Sequence, residues 1–291
     1  MKLASSELIL NPDGSIYHLN LHPEQVAPII ITVGDPDRVP RVSRYFDKVE
    51  HRVQKREFVT HTGWLGKRRL SVVSTGIGAD NVDIVMNEMD ALFNIDLVTR
   101  QVRNPPRQLT FVRIGTSGGI QPDIGADDLL VSSAAFGLDG LLRFYDFPEL
   151  WENEWVDAFH KAMEVSGEWP SLPYFAHADQ GFVQACTKNF VRGITATNSG
   201  FYGPQGRQLR AGISRPGLIG ALQQFEFRGK QITNLEMETA AIYGLAQLLG
   251  HRAISFNAIL ANRANGTFSV DPHKTEQHLI EQVLENILTF N

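Results

Sequence analysis

The 291-residue chain carries a single cysteine, Cys186, so no intrachain disulfide is open to it and its stability has to come from a buried core. That lone thiol reads as an inert packing residue, and the lack of others fits a reducing compartment. Positive charge is also short: 27 Lys and Arg stand against 32 Asp and Glu, a net charge of −5. No global basic field exists to hold a nucleic-acid backbone or an anionic membrane, so any phosphate site must be local. Long apolar runs are missing. The stretch 253–261 contains Ser255 and Asn257 and falls far short of the ~20 residues that span a bilayer. The first thirty residues hold Asp13, His18, His22 and Glu24 rather than a basic start and an apolar run, so a cytoplasmic location is expected. His273 and His278 lack the spacing of a metal site, and no His, Cys or carboxylate cluster reads as a zinc centre.

With 43% hydrophobic and 20% charged residues, the composition is that of a folded protein long enough to bury one large core. Runs rich in β-branched residues at 28–33, 70–74, 108–114, 128–134, 194–198 and 252–261 alternate with helical patterns at 36–46, 80–93, 150–164, 216–227, 238–249 and 272–288. That alternation predicts one α/β domain over 1–291, with a mixed, mostly parallel central sheet flanked by helices. Stretches 102–107 and 168–173, each with two prolines, read as irregular insertions. The aromatics of Trp151-Glu152-Asn153-Glu154-Trp155 read as a helix packing stripe.

In open α/β sheets ligands gather beyond the carboxyl ends of the strands. Four motifs fall there: Gly34-Asp35-Pro36-Asp37-Arg38, Thr75-Gly76-Ile77-Gly78, Arg113-Ile114-Gly115-Thr116-Ser117-Gly118-Gly119 and Asn262-Arg263. The first supplies an N-cap and a proline start to a helix, and leaves over a glycine that permits close approach and an arginine one turn in. The glycines of the third are unfavourable at a strand end unless the backbone must approach something. Its Gly-Thr-Ser-Gly-Gly also matches a nucleophile elbow, but an elbow runs straight into a helix, and 120–125 reads as a turn into another strand. The second matches half of a dinucleotide fingerprint with failed spacing, though its backbone N–H groups at a helix start suit an anion. In Glu236-Met237-Glu238 an extended backbone would put both carboxylates on one face. Buried, they need partners, and neighbouring sugar hydroxyls would supply them. Phe201-Tyr202-Gly203-Pro204-Gln205-Gly206-Arg207 sets an amide and a guanidinium two residues apart in a stiff aromatic turn, suited to the edge and face of a base. An arginine beside free backbone N–H groups suits a tetrahedral oxyanion. Together these motifs point to nucleoside chemistry.

Taken in order, Gly-Asp-Pro-Asp-Arg, Arg56-Glu57-Phe58, Ser74-Thr75-Gly76-Ile77-Gly78, Arg-Ile-Gly-Thr, Phe-Tyr…Gln-x-Arg and Glu-Met-Glu make the chain resemble the uridine phosphorylase branch of the nucleoside phosphorylase family. The resemblance runs from His18-Leu19-Asn20-Leu21 to Asn262-Arg263. It implies the nucleoside phosphorylase fold, with inorganic phosphate as co-substrate held by Gly34, Arg38, Arg56, Arg113 and Thr116. Met237 and Glu238, with Glu236 beside them, would bind ribose; Phe201, Gln205 and Arg207 would contact uracil, and Arg263 would assist on the base side. His18, reaching a ribose 5′-hydroxyl, and Arg56 would act across an interface. A homo-oligomer is implied, usually a hexamer built from dimers with shared sites. Some relatives bind a monovalent cation through a glutamate like Glu57. Asn81 stands where a serine is usual, which leaves potassium open.

The chemistry implied is attack of phosphate on C1′ as a pyrimidine anion leaves, with Arg207 and Gln205 steadying the base and no cofactor. Purine members place an aspartate after the last core strand; here that neighbourhood reads Leu260-Ala261-Asn262-Arg263, and an amide is a poor proton donor. Uridine is therefore preferred to a purine nucleoside. Departures from the pattern are the insertion at 102–107 and Gly206, which replaces an acidic residue. A hydrolytic nucleosidase, a purine nucleoside phosphorylase and a non-catalytic nucleoside-binding protein are the competing readings, and the arginine trio argues against the first.

Overall fold

The computed structural model describes residues 2–163, 171–186 and 189–289. In chain order its elements are β1 (Ile29–Val33), α1 (Arg38–Ser43), β2 (Lys48–Lys55), β3 (Phe58–Leu65), β4 (Arg68–Ser74), α2 (Ala79–Asn94), β5 (Ile95–Asp96), β6 (Gln101–Val102), β7 (Thr110–Gly119), β8 (Leu129–Gly137), α3 (Glu154–Met163), β9 (Tyr174–His177), α4 (Gln180–Ala185), β10 (Val191–Thr197), α5 (Leu218–Gln224), β11 (Glu226–Phe227), β12 (Lys230–Glu236), α6 (Thr239–Leu249), β13 (Arg252–Asn262), β14 (Thr267–Phe268) and α7 (Pro272–Thr289). The six strand runs and six helical patterns expected from periodicity all appear, with ends shifted by a few residues. Residue 164 of the expected third helix and residues 168–170 of the second expected insertion lie outside the described residues.

One sheet runs β11-β12-β10-β8-β13-β7-β1-β4-β3-β2. Its centre, β4-β1-β7-β13, is parallel, with Ile31 beside Val72 on one side and Val112 on the other. The expectation of a mostly parallel sheet does not hold: β2, β3 and β4 pair antiparallel, as do β13 with β8, β9 with β8, and β12 with β7. For β2, β3 and β4 the cause is connection length. Only Arg56-Glu57 and Gly66-Lys67 separate β2, β3 and β4, and so short a link can join only antiparallel neighbours. The β12–β7 pairing also closes β7, β13, β8, β10 and β12 into a five-strand barrel. Strand β2 was hard to read because it alternates exposed and half-buried residues along Lys48–Lys55 and holds no apolar run.

Helices α2, α6 and α7 share one hydrophobic cluster with the parallel centre. Helix α6 is buried from Thr239 to Ala246, since it lies under the barrel, and it stops at Gly250, whose left-handed φ of +75° suits a residue without Cβ. A second cluster gathers on Phe136, whose ring meets Phe175 at 4.6 Å, Phe159 at 5.0 Å and Phe225 at 5.2 Å between centroids. Trp155 of the expected aromatic stripe stacks on Phe175 in this cluster, and Trp151 packs at the edge of the first. Cys186 is buried, and burial pushes its thiol pKa up to about 11. Among the described residues no helix is long and apolar enough to cross a membrane.

The segment 102–107 lies at the opposite end of β7 from Thr116-Ser117-Gly118, anchored by the Arg107 N–H on Asn94 Oδ1 at 2.6 Å. It lines no part of the cavity at the strand ends.

Because Phe136 is fully buried among four other aromatic rings, Phe136→Ala is expected to destabilise the protein by about 3–5 kcal/mol. Urea melts of the two proteins check this; a loss under about 1 kcal/mol would mean that the site collapses onto the gap.

Candidate functional site

Beyond the carboxyl ends of β1, β4, β7 and β12 lies a cavity of about 780 Å³. Of the residues singled out from sequence, Gly34, Arg38, Thr116 and Arg113 line it together with Glu236, Met237, Glu238, Phe201, Gln205 and Arg207. Three of the four loops therefore meet as expected. Arg263 stands behind the wall, with its guanidinium on the Gln205 carbonyl oxygen and, at 3.3 Å, on that of Gly206. His18 and Arg56 do not line the cavity of their own chain.

Arg113 is the centre of the site. It is buried, and its Nη2 lies 2.6 Å from Glu238 Oε2 and 3.1 Å from Glu236 Oε2. Its Nη1 donates to Asn257 Oδ1 at 2.9 Å. The guanidinium folds back over Gly115, where a Cβ would stand 2.0 Å from Nη1, so only glycine leaves room for it. Burial works against the charge on Arg113, and the two carboxylates more than offset it, holding its pKa above the usual arginine value. The Glu238 pKa is raised as well, which for an acid disfavours the charged form: burial, reinforced by the Glu236 charge, outweighs Arg113.

The two carboxylates converge, although not by the extended alternation expected. Strand β12 ends at Glu236 and the chain turns at Glu238 into α6, because Glu236 Oε2 accepts the N–H groups of Glu238 and Thr239 at 2.9 Å and so serves the exposed end of that helix. Its other oxygen accepts the Thr197 hydroxyl. Glu236 is thus occupied by its own chain. Glu238 accepts Gly78 N–H at 2.8 Å and Arg113, and a carboxylate has about four lone-pair positions, so it keeps acceptor capacity toward the cavity. The start of α2 does meet an anion, as its loop suggested, but that anion is Glu238. Gly78 holds φ +104° there, and Gly76, at φ +72°, packs against Asn81.

Arg38 is held by Glu276 at 2.8 Å and donates to the Ile114 carbonyl at 3.3 Å, while its buried Nε has no protein partner among the described residues. A buried donor of this kind is expensive to leave unmatched. Also on the cavity wall, Arg207 lies over the Phe201 ring, 3.9 Å from its centroid, and donates to Gln205 Oε1 at 2.6 Å. Burial lowers the Arg207 pKa, and the nearby charge of Arg263 lowers it further. Asn262 is spent on structure: buried, it donates to the Gln121 carbonyl at 2.7 Å and accepts Asn265 N–H at 2.8 Å. Sequence reading missed Glu276 and Phe268. Glu276 sits on α7, more than 200 residues from Arg38 in the chain, and no local signal marks it. Ser117 lies within β7, which continues to Gly119 before the turn to β8, so it is not at a strand-to-helix elbow.

His18 is fixed from α2: Nδ1 lies 2.6 Å from Glu88 Oε1, and Glu88 also accepts the His18 and Leu19 N–H groups. Arg56 is exposed at the β2–β3 turn with φ +55°, its guanidinium 5.9 Å from the centroid of the Tyr17 ring.

Residues 28–289 match the model of the phosphorylase superfamily. The chain belongs to that superfamily. It is 32% identical to the uridine phosphorylase of Thermococcus kodakarensis over 276 residues, 92% of this chain and 84% of the relative. It is 28% identical to the Escherichia coli uridine phosphorylase, covering 93% of this chain and 96% of that one. Among solved structures, a Trypanosoma brucei nucleoside phosphorylase with uridine phosphorylase activity superposes with a TM-score of 0.87 at 28% identity, covering 98% of this chain and all of that one. The nucleoside phosphorylase fold expected from the motifs is therefore the fold of this superfamily member.

Arg113→Met would leave two buried carboxylates facing each other without a cation, and a loss of about 3–5 kcal/mol is expected. The sign with pH follows from Glu238, whose pKa is already raised by burial and by Glu236. Without Arg113 the Glu238 carboxyl loses its cationic partner and its pKa is pushed further up, so the variant's deficit is small in acid and grows as pH rises past the ordinary carboxylate range. Urea melts at pH 5 and pH 8 measure it; an equal deficit at both would contradict the electrostatic account.

Proposed function

We propose that the chain catalyses the reversible phosphorolysis of a pyrimidine nucleoside, with uridine and phosphate giving uracil and ribose 1-phosphate. The observation that carries this reading is the one cavity that joins a guanidinium held by two carboxylates, a second buried arginine whose Nε has no partner among the described residues, and an arginine–glutamine–phenylalanine group. Names of relatives support the same reaction.

Breaking the bond between C1′ and N1 leaves a sugar with oxocarbenium character and an anionic base, so opposite charges a few ångströms apart need stabilising. Arg38, Arg113, Thr116 and the Gly34 backbone hold phosphate below C1′, where its negative charge steadies the cationic sugar before attack. Glu238 receives the ribose hydroxyls with its unused lone pairs, Met237 packs against the sugar, and Glu236 holds the turn. Phe201 faces the pyrimidine ring. Arg207 and Gln205 receive the charge that develops on the departing carbonyl oxygens, with Arg263 fixing the Gln205 backbone. No proton donor to a purine nitrogen is needed, in keeping with the structural use of Asn262. Positioning of the two reactants supplies much of the rate.

A neighbouring copy completes the site. Arg56 would reach the phosphate and His18 the ribose 5′-hydroxyl from across an interface, which makes the working unit a homo-oligomer, a hexamer built from dimers in the fullest form of the proposal, in the cytoplasm. A potassium ion beside Glu57 and Asn81, both on the cavity wall, belongs to the same proposal and takes no step in the chemistry.

Uracil release from uridine, followed with and without inorganic phosphate, tests the reaction: dependence on phosphate is expected, and equal release without it would mean a hydrolase. Arg207→Ala is expected to lower kcat by about 100- to 1,000-fold, as loss of one preorganised donor does, with unchanged thermal melting. Turnover near that of the parent would remove Arg207 from the mechanism. Arg38→Met is expected to raise KM for phosphate at least tenfold while KM for uridine changes little; steady-state kinetics with each substrate varied in turn checks it.

A further inference from the structure

Arg38 reaches the cavity from α1, and the charge that holds it is a carboxylate. Its Nη2 lies 2.8 Å from Glu276 Oε2 on α7, and both side chains are 9% exposed. A guanidinium matched one to one by a carboxylate at that distance presents little net charge to an anion, and burial strengthens the match because little water screens it. By itself the pair would hold phosphate poorly.

A third group alters the balance. Glu276 Oε1 accepts from Arg41 Nη1 at 3.0 Å. Arg38 and Arg41 stand three residues apart on α1 and so share one face of that helix, with Glu276 against both. The Arg41 side chain is 36% exposed and does not line the cavity. Its Nη1 also lies 3.3 Å from His273 Nδ1, and since a guanidinium only donates, the ring nitrogen accepts. His273 precedes Glu276 by three residues on α7, so two residues of each helix meet at this point. Two guanidiniums around one carboxylate leave a net positive charge, and of the two it is Arg38 that lines the cavity.

We propose that Arg41 is a positioning residue for phosphate that acts through Glu276. Its cation occupies the second oxygen of that carboxylate and offsets its charge, which leaves Arg38 both fixed in place and able to attract a dianion. Glu276 then has two opposed effects, aiming Arg38 and weakening it, and Arg41 sets the balance between them. The inference rests on the uridine phosphorylase reading and extends its phosphate subsite to a residue outside the cavity.

The experiment compares Arg41→Met, Arg41→Lys, Glu276→Gln and the Arg41→Met/Glu276→Gln double variant in steady-state phosphorolysis of uridine, with each substrate varied in turn. Arg41→Met is expected to raise KM for phosphate about three- to tenfold, a coupling ordinary for charges that share a partner, while KM for uridine changes little. Arg41→Lys keeps the cation and is expected to recover most of the lost phosphate affinity. A glutamine still accepts a hydrogen bond from Arg38 but carries no charge, so beside Glu276→Gln the further change Arg41→Met is expected to leave KM for phosphate where it was. If Glu276→Gln does not fold, the lysine and methionine variants decide, with calorimetric titration of inorganic phosphate into each protein as the second measurement. A merely structural Arg41 would lower thermal melting without touching KM for phosphate. That result, equal rises in KM for both substrates, a lysine variant no better than the methionine one, or the same rise with and without Glu276→Gln would each overturn the proposal. Phosphate-dependent turnover by the parent protein is measured first: its absence refutes the reading on which the proposal rests, whereas normal parent turnover with unaffected variants refutes the role of Arg41 alone.

Discussion

The site depends on one buried cation shared by two buried carboxylates. Arg113 comes from the middle of β7, Glu236 from the end of β12 and Glu238 from the turn into α6, so their ion pairs tie three elements at a single point. Two carboxylates that close would repel each other strongly without a cation between them, and burial makes the repulsion worse. The chain meets this with a full set of partners: helix N–H groups and a threonine hydroxyl for Glu236, a loop N–H for Glu238, an asparagine for the arginine. What remains is a net negative cluster with free acceptor positions only on Glu238, beside a cation already oriented. That inequality between two glutamates separated by one methionine gives each a separate task.

The barrel closure makes this arrangement possible. A sheet of parallel strands alone would send β12 away from β7; antiparallel pairing of Asn234 and Leu235 with Gly119 and Gly118 brings the acidic turn over the glycine-rich strand end. The glycines at that end allow the close approach, and Gly115 leaves room for the arginine itself. Arg38 reaches the same cavity from a short helix and relies on Glu276 of α7 to hold it, so the C-terminal helix contributes to the site as well as to the core.

Much of this was legible in the sequence because the motifs are local. Strand ends followed by glycine and paired acids announce themselves within a few residues, and ten of the thirteen residues named from sequence line one cavity; the cap expected in Gly34-Asp35-Pro36 instead forms a turn, Asp35 accepting Asp37 N–H at 2.9 Å, before a helix that begins at Arg38. The three that do not line it, His18, Arg56 and Arg263, split in kind: Arg263 is bonded to the Gln205 backbone, and the other two lie off their own chain's cavity. Strand direction was misread because it is set by connection length and by β12 meeting β7 across more than a hundred residues, which periodicity does not encode. Glu276 and Asn257 were invisible for a similar reason: each is an ordinary residue on an element whose role is decided by what the fold places opposite it.

The most direct test of the account is the sugar selectivity of Glu238→Gln, measured as kcat/KM for uridine and for 2′-deoxyuridine beside the parent protein. If the free lone pairs of the clamped Glu238 carboxylate receive the ribose hydroxyls, the substitution lowers kcat/KM for uridine several-fold more than for the deoxynucleoside. Equal losses for the two sugars would contradict it, and would mean that Glu238 serves only to hold Arg113.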